Sequence, residues 1–211
     1  MPKRSFYETM IAFGTKPKSS LVPIGITAPA RLQLANGNPH GLKTGDVVYI
    51  EGADLHAANG FFTVKATSTT VFELVGQDFS GMGNINGAKY AKVTMTGFCD
   101  ATSIDVEPAG VSFTDVTTNC DNYPQEEGEL EAGSASMELY YDPESRVQQM
   151  LENAMFSQET LYMQTKPKGV NIVRGFACSV ENWKYSGKVK DKYTANVGFK
   201  LKSRPHDATL S

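Results

Sequence analysis

Three histidines, three cysteines and a few neighbouring carboxylates are the side chains here whose types could carry chemistry. His40 stands in a turn (Asn38-Pro39-His40-Gly41), and His56 and His206 are far from it along the chain. No two histidines have the i, i+4 spacing that sets a pair on one helix face for a metal ion. They read as exposed loop histidines. Cys120, in Asn119-Cys120-Asp121, would need a base and a group orienting that base to act as a nucleophile, and no histidine stands in such a motif. Cys99 and Cys178 fall in strand-like stretches and read as small buried hydrophobes. Asp105 with Glu107, or Glu127 with Glu129, could divide acid and base roles, but carboxylates in such polar surroundings are usually just solvated. GxSxG, P-loop and strand-bound GxGxxG patterns are all missing from the sequence, and Gly81-Met82-Gly83 lies in a polar turn with no helix after it to receive a phosphate. The chain is therefore expected not to be an enzyme, with no metal and no cofactor.

Charge is the feature these residues leave over. Residues 119–131 carry five acids (Asp121, Glu126, Glu127, Glu129, Glu131) and no Lys or Arg. Residues 184–204 carry seven basic groups, Lys184, Lys188, Lys190, Lys192, Lys200, Lys202 and Arg204, against one acid, Asp191. Two solvated surfaces that keep the protein in solution would explain this pattern. The functional alternative is self-complementary assembly, with the acidic segment of one subunit meeting a basic face (Lys184, Lys188, Lys190, Lys192) of the next. A contact between two different patches is heterologous, and it builds rings or filaments.

The elements that must hold these residues are mostly strands. Residues 1–22 form an arm and a brief strand interrupted by Pro17. Residues 23–96 are dense in turn signals (Asn36-Gly37, Thr44-Gly45-Asp46, Asn59-Gly60, Asn86-Gly87). Between these lie β-branched and aromatic runs at Val47–Ile50, Phe61–Val64, Val71–Val75 and Tyr90–Met95. That spacing predicts a small all-β module. Its five basic and five acidic residues give it no electrostatic reason to hold nucleic acid. It reads either as an insertion near the start of a larger fold or as a linked first domain.

From Gly97 on, strand-like pieces at Ser103–Val106 and Val111–Thr118 precede a long acidic loop, Asn119–Ser134, and a strand at Met137–Tyr141. One helix is predicted, over about residues 143–155. Asp142 is its N-cap and Pro143 its first residue. Val147, Met150, Leu151 and Ala154 form its apolar stripe, with Arg146, Gln148, Gln149 and Glu152 on the wet side. Three strands follow: Thr160–Thr165, Val170–Glu181 and Lys192–Lys202. In the last of these Ala195, Val197, Phe199 and Leu201 share one side. Residues 206–211 read as a disordered tail.

The composition agrees with this reading. The chain has 211 residues, 40% of them hydrophobic and 20% charged, a net charge of -3 and 19 glycines. No overall basic field exists to bind nucleic acid by counterion release. Three sparse cysteines argue against a disulfide framework and suit a reducing compartment. The opening MPKRSFYETMIAFG has no apolar run of signal-peptide length, and no stretch approaches the ~20 apolar residues of a membrane span. A soluble protein made in the cytosol, with no membrane insertion, is expected.

Two resemblances sharpen these expectations. Ser112-Phe113-Thr114-Asp115-Val116-Thr117-Thr118, the acidic segment, Gly133-Ser134-Ala135-Ser136-Met137-Glu138-Leu139-Tyr140-Tyr141-Asp142 and a short helix follow one another in order. Then come Val173-Arg174-Gly175-Phe176-Ala177-Cys178-Ser179-Val180 and Ala195-Asn196-Val197-Gly198-Phe199-Lys200-Leu201-Lys202-Ser203-Arg204-Pro205. The order of elements resembles the tail tube proteins of long, non-contractile bacteriophage tails, over residues 97–205, with residues 9–22 as a first strand. Residues 41–50 (Gly-Leu-Lys-Thr-Gly-Asp-Val-Val-Tyr-Ile), 59–64 (Asn-Gly-Phe-Phe-Thr-Val) and 72–76 (Phe-Glu-Leu-Val-Gly) resemble small β-barrel domains of phage structural proteins. Tail tube proteins do not generally carry such a module at this position.

The first resemblance implies a mainly β fold, a tail-tube-type β-sandwich or barrel with one short helix. Residues 1–22 and 97–205 would make that domain, with the small barrel at 23–96 inserted near the N-terminus. It further implies hexameric rings stacked into a tube around a tape-measure protein, with DNA passing transiently and non-specifically through the channel. Tail terminator and tail-tip proteins would be further partners, and the chain would reside in the virion tail after assembly in the host cytoplasm. The loop Asn119–Ser134, with Asp121, Glu126, Glu127, Glu129 and Glu131, would contact the neighbouring ring.

Rival readings are another tail assembly protein of similar fold, such as a terminator or a secretion-system tube protein, or a host-surface glycan-binding module. In the last, Tyr49, Phe61, Phe62 and Phe72 would stack sugars, although core packing explains those residues better.

Overall fold

Strands whose apolar residues alternate must bury one face, and in this chain two sets of strands do so in two different ways. The computed structural model describes residues 9–18, 21–27, 31–34, 39–82, 85–115, 126–187 and 191–210; for 27, 31–34, 111–115 and 126–131 the backbone alone is described.

The first set is β2 (Val22–Thr27), β3 (Arg31–Leu34), β4 (Val47–Glu51), β5 (Gly60–Ala66), β6 (Val71–Leu74) and β7 (Lys89–Lys92). They close into a barrel in the order β2-β3-β6-β5-β4-β7. Closure leaves no open edge, which a module of such short strands needs. Ile24, Ile26, Val48, Ile50, Phe62, Val64, Phe72 and Leu74 fill the interior. At the Asn59-Gly60 corner the Asn59 side chain accepts from Ala53 N–H at 2.9 Å and donates to Ala53 O at 3.0 Å, closing one loop, while Asn36-Gly37 lies outside the described residues.

The second set is a sheet that begins before the barrel and resumes after it. It contains β1 (Met10–Gly14), β8 (Thr96–Phe98), β9 (Ala101–Asp115), β10 (Glu126–Tyr140), β11 (Leu161–Lys166), β12 (Ile172–Ser186), β13 (Thr194–Leu201) and β14 (His206–Thr209). The order is β8-β1-β11-β12-β13-β10-β9, with β14 pairing on β12. The helix α1 (Arg146–Ser157) packs on β12.

This sheet is curled. β1 and β13 are separated by β11 and β12, so in a flat sheet they would lie roughly 14 Å apart at ~4.8 Å per strand. Yet the rings of Phe13 and Phe199 stack with centroids 6.0 Å apart. The concave side thus closes over one core, formed by Ile11, Phe13, Met137, Leu139, Leu161, Met163, Phe176, Cys178, Val197 and Phe199, with Val147, Leu151 and Ala154 of α1. The mainly β architecture with one short helix is as the sequence implied, and so is the burial of Ala195, Val197, Phe199 and Leu201.

Three local expectations are overturned. The helix begins at Arg146 with Ser145 as N-cap, because Asp142 is used in a turn before it. There its carboxylate accepts from Glu144 N–H at 2.9 Å, and its carbonyl accepts from Ser145 N–H at 3.1 Å. Gln148, placed on the wet side by its polarity, is buried. Its Nε2 donates to Tyr140 O at 2.8 Å and its Oε1 accepts from Asp142 N–H at 3.0 Å. It supplies the hydrogen bonds of a chain leaving a strand end for a helix, where a ladder can no longer do so.

The tail expected to be disordered at residues 206–211 instead forms β14, which pairs Ile172 with Thr209 and Gly175 with His206. Arg174 anchors it by a two-pronged contact to Asp207, at 2.7 and 2.8 Å. Residue 211 lies outside the described residues.

Replacing Gln148 by Leu leaves the Tyr140 carbonyl without this donor and the Asp142 N–H without this acceptor. The expected loss is about 1–3 kcal/mol of unfolding free energy, read from the urea midpoint. A change below ~0.5 kcal/mol would show that the amide is not holding the strand-to-helix joint.

Candidate assembly surfaces

Curling gives the sheet a convex side, and its two halves are treated differently. Over β1, β11 and the first half of β12 the convex side is covered by the barrel. Residues of the parity opposite to the core, Tyr162, Gln164 and Ala177, point out here. Tyr162 and Ala177 pack with Val47, Phe61 and Val93, and the Phe61 and Tyr162 rings stack at 5.9 Å. Inside this apolar contact the Tyr162 hydroxyl is 2.8 Å from Thr63 Oγ1, and Gln164 Nε2 donates to Gly45 O at 3.0 Å. Burial pushes the Tyr162 hydroxyl up to about 12, with the Thr63 hydrogen bond opposing. Gly175 faces this contact. A Cβ there would stand 2.6 Å from the Tyr162 hydroxyl and 3.0 Å from Thr63 Oγ1, so only a glycine lets the two bodies close.

The strand β14 closes the same seam from the side. His206 packs on Gly76, at φ 73°, where any side chain would collide with its ring. Burial first, and then the neighbouring Arg204 charge, hold the His206 imidazole below its usual range.

Over the rest of β12, β13, β10 and β9 no described residue covers the convex side. A register shift between Val180 and Asn182 resets the parity of β12, so that Asn182 and Lys184 face outward. Cross-strand partners then form rows of small and polar residues: Lys184 and Asn196, Asn196 and Glu138, Glu138 and Ser103. Ser136 lies opposite Asp105, and Ser134 opposite Glu107. The Asp105 and Glu107 considered as an acid and base pair are exposed members of this face.

The two ends of this half differ. At one end β9 and β10 run on beyond β13, which pairs only with Ser134–Tyr140. Ala109–Asp115 and Glu126–Ala132 therefore form a two-stranded arm roughly 23 Å long. The arm starts where Pro108, without an N–H, falls opposite Gly133. The acidic stretch expected as the loop Asn119–Ser134 is therefore strand from Glu126 onward. Glu126, Glu127, Glu129 and Glu131 sit on β10 opposite Asp115, Thr114, Ser112 and Gly110. Asp121 lies outside the described residues.

At the other end stand Tyr140, Tyr141, Tyr185 and Tyr193. Lys192 Nζ lies over the Tyr140 ring, 4.7 Å from its centroid, and Tyr141 stacks on Tyr185 at 4.9 Å. Tyr140, Tyr185 and Tyr193 are 45–61% exposed, among the largest exposed apolar surfaces of the described residues. Lys184 lines an open groove of about 720 Å³ with Glu138, Trp183 and Asn196. Lys188 and Lys190 lie outside the described residues. The structure thus brings Lys184 and Lys192 to one end of the sheet, and the strand register places Lys200 at the opposite end, beside the arm's root. The tyrosines were missed in sequence reasoning. Their signal was the spread of Tyr140, Tyr141, Tyr185 and Tyr193 over three strand ends, Tyr185 and Tyr193 beside lysines.

Of the other chemistry-bearing residues, Cys178 is buried as expected, but Cys99, expected to be buried, is exposed, as is His56, and Cys120 lies outside the described residues. His40 is clamped in its turn: its Nδ1 accepts from Leu42 N–H at 2.9 Å, its Nε2 donates to Ser68 O at 2.7 Å, and its ring meets the edge of Phe72. Burial drives the Cys178 thiol up to about 12, which keeps it protonated and inert. Phe61, Phe62 and Phe72 are buried, and Tyr49 packs on Phe61 beneath Lys16, so these aromatics offer no open sugar platform. Among the described residues no group of three His, Cys, Asp or Glu could hold a metal ion, and no helix is long and apolar enough to cross a membrane.

No family model matches the chain, and the search of curated proteins returns no match. Among solved structures the chain is similar to a chain of a particle described as the virion of a native gene transfer agent. The TM-score is 0.42 with 9% identity, over 54% of this chain and 88% of that one.

Two outcomes are expected at the barrel seam. Tyr162→Phe and Thr63→Val should each cost about 1 kcal/mol, and the double variant clearly less than their sum, in denaturant unfolding. Additive losses would mean that the hydroxyls do not bond. Because the folded-state pKa of Tyr162 is raised, its neutral form stabilises the fold fully below pH 10, and this is lost as pH rises toward about 12. The stability advantage of wild type over Tyr162→Phe should shrink across that window; a constant difference would place the hydroxyl in water.

Proposed function

We propose that the chain is a structural tail tube subunit of a long-tailed bacteriophage, a virion protein that assembles with copies of itself into stacked hexameric rings around a channel for DNA. One observation carries this reading: the acidic arm and the tyrosine–lysine end lie at opposite ends of one sheet. Copies stacked head to tail would bring unlike surfaces together at every step, a heterologous contact that propagates. The order of sequence motifs, which resembles that family, supports the reading. So does the arm itself, since a two-stranded ribbon is marginal alone in water and gains from a neighbour.

The remaining surfaces suit the same role. β9 presents a 15-residue sheet edge that a neighbouring subunit can pair within a ring. Among its described residues the convex face mixes Ser, Asn and Lys with acids, Lys184 and Glu138 both flanking Asn196, a mixture that a nucleic acid can slide past. Its partners would be its own copies, the tape-measure protein, the tail terminator and tail-tip proteins. A terminator-like protein of similar fold is the second reading, favoured if rings form without stacking.

Electron microscopy of the purified protein at rising concentration, alone and co-expressed with tape-measure and tail-tip proteins, should show hollow tubes of stacked rings. Lys184→Glu with Lys192→Glu should abolish stacking while leaving the fold intact by circular dichroism, and raised salt should weaken wild-type assembly in the same direction. Rings without tubes would favour the terminator reading. Monomers under every one of these conditions would overturn the proposal.

A further inference from the structure

We infer that the barrel of residues 22–92 is a fixed outer fitting of the assembled tube, held on the wall away from the channel. This rests on the tube reading above and adds where the barrel stands.

The geometry follows from the curl. Phe13 of β1 and Phe199 of β13 face one another across the core at 6.0 Å. The convex sides of those two strands therefore point away from each other. The barrel sits on the convex side of β1, β11 and the start of β12, where a Cβ at Gly14 would stand 2.5 Å from Val93 and 2.7 Å from Met95. The small, polar convex side belongs to β13, β10 and β9. If that polar half faces a channel, the barrel half faces the surroundings. The reverse arrangement would put a six-stranded barrel into the channel and set the polar rows on the outer wall.

The barrel is also not free to swing. Three kinds of contact hold it to the sheet: the apolar packing of Tyr162 and Ala177 with Val47, Phe61 and Val93; the buried Tyr162–Thr63 and Gln164–Gly45 hydrogen bonds; and β14, with His206 on Gly76 and Leu210 against Gly45. A module joined to its host on two adjacent strands and pinned by a third does not behave as a tethered domain. In the tube it would recur at every subunit in one orientation.

Site-directed labelling tests this. In a background with Cys99→Ser and Cys120→Ser, Met82→Cys places a thiol on an exposed barrel turn (Met82 is 58% exposed) and Ser136→Cys places one on the polar face. Both should react with a bulky polyethylene-glycol maleimide in the free subunit. In assembled tubes, confirmed by microscopy, Met82→Cys should keep its rate and Ser136→Cys should lose its reactivity. Tubes in which Met82→Cys is protected, or in which Ser136→Cys stays open, would overturn the inference and leave the tube reading standing. Failure of the parent protein to form rings or tubes with its partners would remove the tube reading and this inference with it.

Discussion

One constraint orders the structure: in a strand, successive side chains point to opposite faces, and the curled sheet gives most of one of those faces to its core. Phe13 meeting Phe199 fixes the curl, and with it the fate of every alternate residue. The remaining parity cannot be apolar everywhere, or the chain would precipitate, nor polar everywhere, or the barrel would have nothing to sit on. The chain divides it. Tyr162, Gln164 and Ala177 serve the barrel, and Ser134, Ser136, Glu138 and Asn196 serve water. The register shift between Val180 and Asn182 allows β12 to take part in both.

Much of this was legible from residue order. Alternation at Ala195, Val197, Phe199 and Leu201 named a buried face, and the dense glycine–asparagine corners named a small β module. What was not legible depended on partners distant in sequence. Gln148 looks like a surface residue until Tyr140 and Asp142 are placed beside it. Residues 206–210 have no apolar run that announces a strand, and they become one because β12 offers a free edge and Arg174 a charge for Asp207. The run of acids from Glu126 looks like a loop because local propensity disfavours a strand of glutamates, yet pairing with β9 overrides that preference. At the candidate surfaces, the charges were visible as composition. Their division between two ends of a sheet was not, because only strand register can decide it.

On the proposed tube reading, the same register separates stability from assembly. The core and the barrel seam hold the buried hydroxyls and the buried amides of Gln148 and Gln164, with partners inside the chain. On the proposed tube reading, the arm, the tyrosine end and the β9 edge would meet other copies of the chain. A mutation in the first set should weaken the monomer, and one in the second should leave the monomer alone and alter what it builds. The two kinds of residue are interleaved along β10 and β12, so proximity in sequence does not distinguish them.

β1 and β8 are neighbours in the sheet, with Phe13 opposite Thr96, and the whole barrel is carried in the connection between them. To the sheet this connection is a hairpin loop, and the entropy of closing a loop grows only slowly with its length. An ancestor with a short turn here could have acquired the module without rewiring a single strand pair. The cost would fall on the surface beneath it, where Tyr162 and Ala177 would otherwise stand bare. Gene-level exchange at this site is therefore topologically free and chemically constrained: a replacement cargo has to bring its own apolar underside.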